Sequence, residues 1–137
     1  MQPVLNFLFP EIPGNHPSRK SIATNLLANI LGLGWAATPA GLKAMEELAD
    51  LEEERRRKKQ RAVPIGAASN EMCDFLILNI SSLQLIPVSI IAFRTEYGSV
   101  APTAIVGPAI LATAVSTGIA IFYIKIRKYI YRKLFDR

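Results

Sequence analysis

Three stretches of this chain, residues 21–42, 75–93 and 97–124, contain no Asp, Glu, Lys or Arg. A helix needs about 20 mostly apolar residues to cross a hydrocarbon core roughly 30 Å thick, and these stretches reach that length. Half of the chain is hydrophobic and 20% is charged, so the charges are segregated from the apolar residues. A soluble domain instead breaks its apolar stretches with polar faces at a period near 2 or 3.6. Segregation on this scale predicts an all-α integral membrane protein. The competing reading is a very hydrophobic helical core.

The charge distribution favours the membrane. The formal net charge is +5, and the basic residues gather at 55–61 and 125–137, each beside an apolar stretch. Cytoplasmic loops of membrane proteins carry such clusters. A basic chain could also bind nucleic acid, but aromatic interleaving and groove-reading motifs are absent. The expected partner is therefore the lipid bilayer and not nucleic acid. With both clusters in the cytoplasm, residues 97–101 face outward. Cys73 is the single cysteine, and His16 is the single histidine, placed in the turn-like Asn15-His16-Pro17. Neither has the companions that a disulfide, a zinc site or a catalytic triad needs. The expectation is no enzyme, no catalytic residue, no metal site and no cofactor.

Residues 1–9 read as a helix end or interfacial segment stopped by Pro10 and Pro13, without the features of a secretory signal. Residues 21–31 fit a helix that places Asn25 and Asn29, four apart, on one face. A break is then expected at Gly32, Gly34 and Pro39, because glycine and proline both disfavour helix interiors. In hydrocarbon the freed backbone groups need protein or water partners. Each half has about ten residues, about 15 Å of helix or half a bilayer. The segment is thus a broken spanning helix or, preferably, a re-entrant hairpin. Residues 43–70 read as a charged cytoplasmic helix and loop, with Glu52, Glu53 and Glu54 four residues before Arg56, Arg57 and Lys58. The other two stretches read as full crossings, giving two spanning helices and one broken or re-entrant segment.

Inside these stretches Asn25, Asn29, Asn79, Ser82 and Gln84 are the informative positions. A buried amide without a partner costs several kcal/mol in an apolar medium, so these groups must face one another, water or a ligand. One reading is hydrogen bonding between helices. The other is a polar solute site near the midplane beside a broken helix, where transporters place theirs.

Several strings are more specific than composition. They are Phe9-Pro10-Glu11-Ile12-Pro13, Asn15-His16-Pro17, Asn25-Leu26-Leu27-Ala28-Asn29, Leu31-Gly32-Leu33-Gly34 and Ala36-Ala37-Thr38-Pro39. To these add Gly41-Leu42-Lys43-Ala44-Met45-Glu46, Asn79-Ile80-Ser81-Ser82-Leu83-Gln84-Leu85-Ile86-Pro87 and Ile105-Val106-Gly107-Pro108-Ala109-Ile110-Leu111-Ala112-Thr113. Together they resemble the spore maturation protein A family, part of the nucleoside-recognition or Gate domain proteins. The resemblance implies that residues 1–137 are the C-terminal portion of such a domain, similar to part of a concentrative nucleoside transporter. It implies a multi-pass protein of the bacterial inner membrane, linked in spore formers to dehydration of the spore core. The implied ligand is a nucleoside or another small polar solute, and the implied partner is a spore maturation protein B-like Gate protein or a second copy. A structural subunit without transport is the alternative. Three features depart from the family pattern. Trp35 stands where asparagine is usual, residues 51–63 are longer and more charged, and the family has further hydrophobic sequence before the position of Met1.

Overall fold

Glycine and proline divide the chain into helices of very unequal length. The computed structural model describes residues 2–60, 62–81 and 86–135. In order they form α1 (Gln2–Leu8), α2 (Ser18–Ile30), α3 (Gly34–Arg57), α4 (Asn70–Ile80), α5 (Val88–Glu96) and α6 (Val106–Phe135), with a 3-10 turn over Pro102–Ile105 leading into α6. No strand occurs among the described residues, as an all-α chain requires.

The expected hairpin is present, but its break is confined to residues 31–33. Gly32 takes φ +70° at the end of α2. Its N–H donates to Asn29 O, and the Leu33 N–H donates to Ala28 O at 2.8 Å. This pairing is the Schellman motif, which satisfies the last carbonyls of α2 and turns the chain back. α2 and α3 then pack against each other as an antiparallel pair. Gly34 and Pro39 do not belong to the break: Gly34 opens α3 and Pro39 lies within it. Near a helix start proline removes one N–H, and the surrounding pairing with α2 holds the helix together. The charged residues 43–57 are the C-terminal part of α3 and not a separate helix.

The second uncharged stretch is divided between α4 and α5. Ser81 Oγ donates to Leu78 O at 2.7 Å at the end of α4, and Pro87, which has no N–H, immediately precedes α5. Each piece is about half a bilayer long at 1.5 Å per residue. Among the described residues one helix is long and apolar enough to cross a membrane, Pro102–Ile130, and only 11% of its most apolar stretch is buried.

The core gathers at one end of the molecule. Leu5, Leu8, Phe9 and Ile12 pack with Ile22 and Leu26 of α2, Leu48 and Leu51 of α3, Phe75 and Leu78 of α4, and Ile124 of α6. Around it lie two ionic clusters. Arg55 bridges Glu52 and Glu71 and donates to Glu11 O at 2.9 Å. Burial pulls the Arg55 guanidinium down, but its hydrogen bonds and charge pairing with Glu71 and Glu52 outweigh this and hold it above the ordinary value. Glu52 therefore serves Arg55, and its Oε2 accepts from Val63 N, instead of the expected Arg56. The expected pairs Glu53–Arg57 and Glu54–Lys58 do form, on the surface. In the second cluster Asp74 is fully buried and binds both Arg127 and Lys128.

Two outcomes follow for purified protein in detergent. Asp74→Ala leaves two cations facing a buried apolar site and is expected to lower unfolding stability by about 3 kcal/mol, read from denaturant titration. Lys59 ends α3 at φ +53°, which L side chains adopt at a cost, so Lys59→Gly is expected to raise stability by about 1 kcal/mol.

Candidate solute site at the helical hairpin

The i to i+4 spacing of Asn25 and Asn29 puts both amides on one face of α2, and Asn29 reaches α4, where Asn79 stands one residue before the helix end. Asn29 Nδ2 donates to Asn25 Oδ1 at 3.2 Å and to Asn79 Oδ1 at 2.9 Å. Asn25 Nδ2 donates to Ala37 O on α3 at 2.8 Å, and Asn79 Nδ2 donates to Phe75 O at 2.9 Å. Three of the five expected site residues are thus joined in one network. Ser82 and Gln84 lie outside the described residues.

An open cleft of about 340 Å³ adjoins this network. Asn25, Asn29 and Asn79 supply its polar wall, while Leu42, Met45, Phe75 and Leu76 supply the apolar one. Among the described residues no charged side chain lines it. Its volume falls in the range of small-molecule pockets, roughly 300–1,000 Å³. Counting amide capacity gives the chemistry of the polar wall. Both Asn29 N–H groups are engaged, but among the described residues Asn29 Oδ1 accepts nothing. Asn25 and Asn79 each keep one N–H in hand. Beside the Thr38 hydroxyl, which donates to Gly34 O, the amides among the described residues therefore keep one wholly unused oxygen and two N–H donors without net charge, which suits a neutral molecule carrying both kinds of group.

Gly41 is a functional position that residue type alone does not reveal. A Cβ there would lie 2.9 Å from Asn25 Nδ2, so the glycine lets the Asn25 amide reach Ala37 O. Trp35 is 81% exposed and does not line the cleft, so it leaves the cleft unfilled. Asp74 and Arg19 are buried, at 0% and 5% exposed, yet they belong to the core end and not to the cleft.

These positions can be set beside known proteins. No family model matches the chain, and no solved structure matches it. A curated protein does: Spore maturation protein A of Bacillus subtilis (strain 168) is 45% identical over 132 residues, 96% of this chain. The chain is a relative of spore maturation protein A. It spans 61% of that protein's length. The match supports the family expected from the motifs, and apart from Phe75 and Leu76 the cleft lining falls within the strings that carried the resemblance.

Substitutions at two glycines separate packing from propensity. Gly41→Ala forces the Asn25 amide from its buried acceptor and is expected to cost about 1 kcal/mol net, since a lost buried hydrogen bond outweighs the gain in helix propensity. Gly34→Ala meets nothing within 4 Å and is expected to be neutral or stabilising by up to about 1 kcal/mol. Thermal unfolding in detergent reads both.

Proposed function

We propose that this spore maturation protein A relative is a multi-pass protein of the bacterial plasma membrane. In this reading it holds a small neutral polar solute in the cleft between the α2–α3 hairpin and α4, as a step in moving that solute across the membrane. The observation that carries the reading is the convergence of Asn25, Asn29 and Asn79 on an uncharged cleft, with amide oxygens and N–H groups still able to bond a ligand. The membrane setting is supported by α6, an apolar helix left largely unburied, and by α4 and α5, each about half a bilayer long. α4 and α5 together would make a second, interrupted crossing. A nucleoside is the solute class that the family resemblance implies. The role needs no chemistry on the solute, so the protein acts without catalysis. In a spore former its place is in spore maturation, as the relative's name says of that relative.

A second reading has its own support. Each amide of the trio already has a protein partner, and Leu42, Ile80, Leu111, Val115 and Ile119 are broadly exposed. Polar glue inside and apolar faces outside describe a structural subunit that assembles with a second membrane chain, such as a spore maturation protein B-like Gate protein or another copy.

Calorimetry separates the two. Under the solute reading, uridine or adenosine binds the purified protein, and Asn29→Leu or Asn79→Leu weakens binding about ten-fold or more, the worth of roughly 1.4 kcal/mol. Absence of binding in the parent, with both variants losing stability or association with another membrane chain, selects the structural role.

A further inference from the structure

The two ends of the α2–α3 hairpin are held very differently. At the base, Ile22, Leu26, Leu48 and Leu51 share the buried core with Phe75 and Leu78, and Arg55 binds Glu71 at 2.8 Å. Toward the tip the core ends, and Leu27, Leu31, Trp35 and Leu42 are exposed. Among the described residues two contacts tie the tip to the α4–α5 side: the Asn29–Asn79 hydrogen bond and the approach of Gly32 to the Ile86 carbonyl. A Cβ on Gly32 would overlap that carbonyl oxygen and lie 3.5 Å from Val88 N. The receiving surface is itself ordered. Val88 N–H donates to Ile86 O at 2.9 Å, with Pro87 at φ −79°, ψ 68°, the geometry of an inverse γ-turn.

The hairpin is internally rigid by comparison. Its Schellman turn and the Asn25–Ala37 bond join α2 to α3 independently of α4. A unit clamped at one end and held at the other, among the described residues, by one amide hydrogen bond and one close backbone approach has two arrangements within reach.

We propose that the hairpin tip is a latch: it rests on the Ile86–Val88 turn when closed, and lifts about its base when the Asn29–Asn79 bond opens. In the lifted state Asn29 Nδ2 regains a donor and Asn79 Oδ1 an acceptor, both at the cleft. A solute that uses them has more partners in the lifted state, and a ligand shifts such an equilibrium only through a difference of this kind. That last clause rests on the solute reading above; the latch itself does not.

Spin labels at Leu31→Cys and Val88→Cys, in a Cys73→Ala background reconstituted into lipid nanodiscs, report the tip-to-turn distance by pulsed electron resonance. The parent is expected to show a dominant short distance. Asn79→Leu removes one net hydrogen bond and should raise the long-to-short ratio about five-fold. Gly32→Ala, checked for helix content by circular dichroism, should remove the short distance. A distribution unchanged by both substitutions overturns the latch. Excess uridine is expected to raise the long population of the parent. If the variants shift the distances and uridine does not, the latch stands and the solute reading falls.

Discussion

Five oxygens within residues 6–12 are held by four cations reaching in from three other helices. Arg19 of α2 takes Asn6 Oδ1 and Ile12 O, Arg55 of α3 takes Glu11 O, and Lys125 and Lys128 of α6 take Phe7 O and Leu8 O. Lys125 also lies 3.7 Å from the Phe7 ring centroid. α1 has seven residues, too few to be stable alone, and its last carbonyls lack partners within the helix. Cations at that negative end satisfy them and favour the local dipole. The same segment fills the core with Leu5, Leu8, Phe9 and Ile12. Every long helix of the chain is therefore referenced to α1, at one end.

The concentration of ionic ties at that end defines the character of the other. α6 joins the core through Ala120 and Ile124 and through its basic residues, then continues as a nearly bare apolar rod. The hairpin leaves the core after Leu26 and Ala44. What remains near the breaks is uncharged: three amides, small residues and a few apolar walls. An uncharged polar patch is compatible with hydrocarbon surroundings because no ion has to be desolvated there. It also leaves the elements around the cleft weakly tied to each other, since neutral hydrogen bonds contribute only about 1 kcal/mol each.

Much of this organisation is legible in the residue order, and the exceptions have physical causes. Helical class, the hairpin and the shared face of Asn25 and Asn29 follow from local spacing, which the backbone alone enforces. The pairing of Asn29 with Asn79 spans fifty residues and depends on tertiary packing. Pro39 looked like part of the break, but its position early in α3, packed on α2, lets the helix absorb it. Ser81 and Pro87 flank the division of residues 75–93, although hydropathy over about twenty residues favours a single crossing. Asp74, Arg19 and Lys128 look like flanking surface charges in sequence. Asp74 and Arg19 are buried and Lys128 half-buried because their partners come from distant parts of the chain: the α6 cations for Asp74, Asn6 and the Ile12 carbonyl for Arg19, and the Leu8 carbonyl and Asp74 for Lys128. Gly41 is ordinary as a glycine and becomes specific only through the amide it admits.

The single tryptophan of the chain has the opposite fate. Trp35 sits in the first turn of α3, beside the hairpin tip, with its indole 81% exposed. Indole emission shifts with the polarity of its surroundings, and no second tryptophan contributes background. Trp35 thus gives this protein a built-in optical reporter. Its colour states whether the tip lies in water, among acyl chains or against another polypeptide.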